Sequence, residues 1–187
     1  MTDETRNPAN PQRRKFLRNA GLIPAGIWVD AASIAKTRNE DAGTVGTSGS
    51  TTMMNYVAPV LDTIRVGVIG AGRRGTTILR LLAGIDGIDV KAIGDTHAPA
   101  IERAQGLMTE LGVEAPTFYS GSDYAYRELL ERDDIDAVFV LTPWSWHTPM
   151  AVEVMQSGKH AFVEVPAALT LDEGWQLVET SVQTRMN

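Results

Sequence analysis

The apolar run Ile64-Arg65-Val66-Gly67-Val68-Ile69 leads directly into Gly70-Ala71-Gly72-Arg73-Arg74-Gly75. No other stretch limits the fold as much. A β-branched strand that is apolar on both faces belongs at the centre of a parallel sheet covered on both sides. The residues after the glycines (Ile78, Leu79, Leu81, Leu82, Ile85) recur at helical spacing, and Gly84 and Gly87 close the segment. Strand, glycine turn and helix together form a phosphate-binding unit. Gly70 permits the tight turn, Gly72 lets a pyrophosphate approach the backbone, and Gly75 lets the helix pack close to the strand. The helix N-terminus then aims unpaired N–H groups and its positive dipole end at the phosphates.

A second strand, Asp89 to Gly94, ends in Asp95, which lies 20 residues past Gly75. A dinucleotide site places an acid there for the adenosine ribose hydroxyls. The carboxylate favours NAD over NADP, because it repels a ribose phosphate. A helix cap is the other reading of Asp95. Arg73 and Arg74 have three readings: pyrophosphate, a ribose phosphate, or the solvated face of the helix.

The alternation then repeats. A helix is expected over Ala98 to Leu111, a strand at Thr117 to Tyr119, and a helix carrying Tyr126, Leu129 and Leu130 that Asp123 can cap. A strand follows at Asp136 to Leu141. The next helix has Thr148 as cap, Pro149 at its first position and Gly158 just past its end. The last strand is His160 to Val165. Thr170 and Glu173 form a capping box for a helix through Trp175, Leu177 and Val178. Strands alternating with helices give the α/β class, a doubly wound parallel sheet with a Rossmann dinucleotide-binding topology.

In such a sheet ligands bind outside the carboxyl ends of the strands. Trp144, Ser145, Trp146 and His147 follow the fourth strand and therefore belong at that edge. The indoles can wall or stack on the cofactor, and His147 can donate to it or hold the loop in shape. Alternatively, one tryptophan packs beneath a helix and His147 bonds a backbone carbonyl. Glu164, Val165 and Pro166 end the fifth strand at the same edge. A carboxylate there can fix a ribose or substrate hydroxyl, act as a base, or lie on the surface.

The first sixty residues differ in kind. Arg13-Arg14-Lys15-Phe16-Leu17-Arg18 precedes an apolar stretch from Ala20 to Val29 and then small residues at Ser33-Ile34-Ala35. That order is basic, apolar, small, as in an export signal of the twin-arginine type. Residues 1–35 are accordingly read as the signal, and a short amphipathic helix in a disordered tail is the other reading. Residues 36–60, rich in Gly, Thr and Ser, are read as a flexible linker, and 61–187 as the dinucleotide-binding domain. The expected location is periplasmic. A net charge of −6 over 187 residues argues against nucleic acid as the main partner. The chain has no cysteine, which excludes thiolate chemistry and disulfides. His97, His147 and His160 are too scattered for a metal cluster. No apolar run reaches the ~18 residues that span a bilayer, so no membrane role beyond export is expected.

Val66 to Gly72, Gly94-Asp95, Ala137 to Pro143, His147 and Gly158 to Glu164 together resemble the glucose–fructose oxidoreductase / inositol dehydrogenase family. Members usually read Glu-Lys-Pro where this chain has Glu164-Val165-Pro166. That lysine normally assists hydride transfer. One branch departs in the same way, glycoside hydrolase family 109, the NAD-dependent α-N-acetylgalactosaminidases. The chain resembles it at Thr142-Pro143-Trp144-Ser145-Trp146-His147, at Gly158-Lys159, at Glu164-Val165 and at Gln183-Thr184. Pro166 departs from that branch.

The resemblance implies that Arg73, Arg74, Asp95, Trp144 to His147, Glu164 and Val165 touch NAD. It implies a transient oxidation at carbon 3 of a sugar, proton loss at carbon 2, departure of the glycosidic oxygen, addition of water and return of the hydride. It also implies a carbohydrate substrate, bound largely by a C-terminal α/β domain that is absent from this chain. The chain is therefore expected to be an NAD-binding half, inactive alone, with no catalytic base assigned and homo-oligomer formation left open. An NAD-dependent sugar oxidoreductase and a non-catalytic NAD-binding module are the alternatives.

Overall fold

The computed structural model describes Met53 and residues 56–187. The export-signal reading of residues 1–35, and most of the linker reading of 36–60, lie outside the described residues. Tyr56, near the end of that linker, lies against the imidazole of His160, with ring centroids 6.0 Å apart, and beneath the guanidinium of Arg185.

Five strands form one parallel sheet: β1 (Ile64–Ile69), β2 (Ile88–Gly94), β3 (Thr117–Tyr119), β4 (Ala137–Val140) and β5 (His160–Val163). Their order is β3-β2-β1-β4-β5, so the chain runs outward from β1 to one edge, then crosses back and runs to the other. This is the doubly wound arrangement that the alternating pattern predicts. Among the described residues the α-helices are α1 (Arg73–Leu82), α2 (Ala98–Glu110), α3 (Tyr126–Leu130), α4 (His147–Gln156) and α5 (Leu171–Thr184).

The two faces of the sheet carry separate cores. Val66 and Val68 of β1 pack with Leu79 and Leu82 of α1 and with Ile101, Ala104, Leu107 and Met108 of α2. Ile69, Val138 and Val140 pack on the opposite face with Leu129 and Leu130 of α3 and Met150 and Val154 of α4. Side chains along a strand alternate between faces, so an apolar run fills both cores at once. α5 packs on α4, and its Trp175 and Val178 remain about half exposed, at 49% and 53%.

Helix starts separate what local sequence decides from what tertiary contacts decide. The capping box at α5 forms as its residues predict. Thr170 Oγ1 accepts from the Glu173 backbone N–H at 3.2 Å, and Glu173 Oε2 accepts from the Thr170 N–H at 3.0 Å. Two other expected caps do not form. The turn before α3 is held by Ser122 Oγ, which accepts from the Tyr124 N–H at 3.2 Å, and Ala125 rather than Asp123 is the cap residue, without a side-chain bond. α4 begins at His147, which puts Pro149 in its third position, and Trp146 is its cap residue. The Thr148 hydroxyl donates instead to the Ala167 carbonyl, 2.9 Å away.

Candidate functional site

All five strands run the same way, so the residues that follow them gather at one edge of the sheet: Gly70 after β1, Asp95 after β2, Leu141 after β4 and Glu164 after β5. A cleft of about 470 Å3 opens there. Gly70, Gly72 and Asp95 line it on one side, and Thr142, Pro143, Trp146 and Met150 on another. Thr96, Ser122, Asp123 and Tyr126 close it.

The glycine turn has the geometry its sequence predicts. Gly70 adopts φ +97°, and a β-carbon there would come within 2.7 Å of the Leu141 carbonyl oxygen. A β-carbon at Gly75 would sit 2.0 Å from the Gly70 carbonyl oxygen. Both positions are closed by backbone. Gly72 is the opposite case, since a β-carbon there would meet nothing within 4 Å. The space beside Gly72 is open and belongs to the cleft, which is the arrangement a pyrophosphate needs.

Asp95 is fixed from two directions. One carboxylate oxygen accepts from the Ala71 N–H at 2.7 Å, inside the glycine turn. The other accepts from the His97 N–H at 2.8 Å, just before α2. The residue thus bridges the turn and the next helix, and it still lines the cleft. Each carboxylate oxygen has a second lone pair, so both can still accept a ribose hydroxyl.

The two tryptophans part company. Trp144 to Trp146 form a single 3-10 turn between β4 and α4. Trp144 is 62% exposed and Ser145 is exposed, and neither lines the cleft. Trp146 lines it and meets Tyr124 edge-on, with centroids 6.0 Å apart at 73°. Behind Tyr124 a polar brace holds the wall. The Arg127 guanidinium lies 4.5 Å from the Tyr124 ring centre and forks onto Glu153 through bonds of 2.7 and 2.8 Å. Glu153 also accepts from the Tyr126 hydroxyl at 2.8 Å. Burial, and then the bond to Glu153, push the Tyr126 phenol up to about 12.

His147 is completely buried and does not line the cleft. Its Nδ1 lies 2.8 Å from the Pro166 carbonyl oxygen and its Nε2 lies 2.8 Å from the Thr142 carbonyl oxygen. A ring protonated on both nitrogens donates to both carbonyls, and a neutral ring donates to one. Together with Thr148, His147 ties the loop after β4 and the loop after β5 to the start of α4. Glu164 accepts from Nε of Arg74 in an ion pair. Val165 is 76% exposed, and Arg73 is exposed on α1.

The predicted residues therefore separate into groups. Gly70, Gly72, Asp95 and Trp146 share the cleft, and Gly75 supports it from behind. Arg74 and Glu164 hold each other, and His147 supports the loops. Arg73, Trp144, Ser145 and Val165 face outward. Sequence reasoning missed Thr96, Ser122 and Tyr126 as lining residues, and gave Asp123 only a capping role. The position of β3 was the available signal, because the loop after it must reach the same edge. Among the described residues, no group of three or more His, Cys, Asp or Glu side chains could hold a metal ion, and no helix is long and apolar enough to cross a membrane.

A glycine turn closed by backbone at Gly70 and Gly75, open at Gly72 and braced by Asp95 is a dinucleotide site. The family model of the Gfo/Idh/MocA oxidoreductases, with an NAD-binding Rossmann fold, matches residues 64–186. The chain belongs to this family. Its relatives include a glycosyl hydrolase family 109 protein of Shewanella sp. (strain W3-18-1), 44% identical over 95% of this chain and 38% of that protein. An α-N-acetylgalactosaminidase of Shewanella oneidensis is 43% identical over 95% of this chain and 38% of its own length. The chain thus spans about 38% of the length of these curated relatives. Among solved structures of the Gfo/Idh/MocA type, a myo-inositol 2-dehydrogenase from Lactobacillus plantarum is 28% identical. It aligns with TM-score 0.56 over 65% of this chain and 34% of that chain. A 3-ketoreductase from Actinomadura kijaniata, in complex with TDP-benzene and NADP, is 27% identical, with TM-score 0.55 over 66% of this chain and 37% of that chain.

Proposed function

We propose that this chain is the NAD-binding part of an exported glycosidase that removes terminal α-N-acetylgalactosamine by a transient oxidation. The observation that carries the cofactor half is the open side of Gly72, which shares its cleft with Asp95. The residues present fit a dinucleotide. The backbone at Gly72 and the first turn of α1 would take the pyrophosphate, Asp95 the ribose hydroxyls, and Trp146 would wall the cleft. When bound, NAD would supply a reversible hydride acceptor for the sugar. Asp95 excludes a ribose phosphate by like-charge repulsion, which selects NAD over the NADP held by the ketoreductase neighbour.

The glycosidase half rests on 44% identity to glycosyl hydrolase family 109 proteins across nearly the whole chain. It rests also on Val165 at the position where the wider family carries a lysine. Arg13-Arg14 and the apolar stretch after them support export by the twin-arginine route to the periplasm.

Isothermal titration with NAD tests the cofactor half, and turnover of an aryl α-N-acetylgalactosaminide with NAD present tests the rest. NAD binding with no hydrolysis by the 187-residue chain fits a part that needs further residues for the sugar. Net accumulation of NADH on addition of a sugar would instead mark a sugar oxidoreductase, because a glycosidase of this kind returns its hydride. Absence of NAD binding would sink the reading.

A further inference from the structure

Arg74 and Glu164 lie 90 residues apart in sequence, yet they form one ion pair over the cofactor edge of the sheet. Arg74 is the second residue of α1, which starts directly after the open Gly72. Glu164 follows β5. β4 lies between β1 and β5 in the sheet, so the pair reaches across the carboxyl end of β4. Among the described residues only one atom of the guanidinium is engaged, Nε, by Glu164 Oε1. Among the described residues, the two terminal amino groups of Arg74, with four of its five N–H donors, make no hydrogen bond. A guanidinium held by Nε presents that outer fork as a bidentate donor for a phosphate.

We propose that Glu164 is a positioning residue that holds Arg74 so that its terminal fork meets the pyrophosphate of the dinucleotide. This rests on the cofactor reading above. Its chemistry follows from the bonds. A long side chain that is 55% exposed loses rotamer freedom when it clamps an anion. Glu164, 29% exposed and set on the backbone that His147 and Thr148 tie to α4, removes that freedom before the ligand arrives. Nothing in this role requires Glu164 to touch the ligand, and Arg74 makes the contact.

The test uses the full chain with ADP-ribose, which carries the pyrophosphate, and with adenosine, which carries none. Arg74→Gln is expected to weaken ADP-ribose about tenfold, the loss of one charge-assisted bidentate contact. Glu164→Gln is expected to weaken it about fivefold through Arg74 alone. The double variant should bind no worse than Arg74→Gln, and adenosine should bind all four proteins equally. A merely structural role for Glu164 would weaken adenosine as well, and that result overturns the proposal. Tighter ADP-ribose binding by Glu164→Gln also overturns it, because Glu164 would then compete with the phosphate. A wild-type chain that binds neither ADP-ribose nor NAD overturns the cofactor reading and this role with it. Normal wild-type binding with additive single-variant losses overturns the positioning role alone.

Discussion

Asp95 and Glu164 end strands on opposite sides of the glycine turn, and both were read from sequence as cofactor contacts. They are held in different ways. Both oxygens of Asp95 accept from backbone N–H groups, of Ala71 and of His97. Glu164 accepts from a long, half-exposed side chain. Backbone donors are placed by the fold, so the Asp95 side of the cleft is set once the sheet forms. A guanidinium on four rotatable bonds is placed only by its partner. One side of the cleft is thus built from main chain and the other from paired side chains.

Breaking the main-chain side should cost the most. Gly75→Ala drives a β-carbon into the Gly70 carbonyl and displaces the turn that carries the Ala71 N–H. The expected loss is about 3 kcal/mol or more, seen as a large fall in thermal midpoint. His147→Ala attacks the support of the other side and leaves the part-buried carbonyls of Thr142 and Pro166 without their ring partner. Urea unfolding should show a loss of about 2–3 kcal/mol, with the glycine turn unaffected.

Asp95→Asn separates the two sides by ligand. The amide oxygen can keep one N–H bond and the amide nitrogen faces the other donor, so about 1–2 kcal/mol of stability should go. The preference for NAD over NADP should fall about tenfold by titration, since the repelling charge is gone. Glu164→Gln should leave that preference intact. Tyr126→Phe gives a smaller, pH-limited effect. The Tyr126 phenol is raised to about 12 by burial and by Glu153. Its contribution is therefore complete below the usual tyrosine value near 10 and is lost as pH rises toward 12. Wild type should lose stability across that window, and the phenylalanine variant should lack that part of the loss. The weakest signal is optical. ADP-ribose should quench indole fluorescence in Trp144→Phe, where Trp146 remains, and should quench it less in Trp146→Phe.

Legibility followed the same division. The turn from Gly70 to Gly75, the three-residue β3 and the capping box at Thr170 are all set by residues within a few positions of each other, and the sequence predicts them correctly. Asp95 was legible because its distance from the glycines is a property of the βαβ unit. The parting of Trp144 and Trp146 was not legible, because it depends on Tyr124, which reaches Trp146 from another loop. The pairing of Arg74 with Glu164 depends on the strand order. Thr148 fits the local pattern of a helix cap, but a carbonyl 19 residues away captures its hydroxyl. Local rules fail where a distant backbone group offers the better partner.

The ties that hang the end of β5 from α4 have a further consequence. His147 and Thr148 grip the carbonyl oxygens of Pro166 and Ala167, and every residue type supplies a carbonyl oxygen. The loop's placement is therefore indifferent to the side chains it displays. A lineage could exchange Val165 for a lysine, or the reverse, without moving the main chain by which that position is mounted. Address and chemistry are thus carried by different atoms at this edge, the first by main chain and the second by side chain.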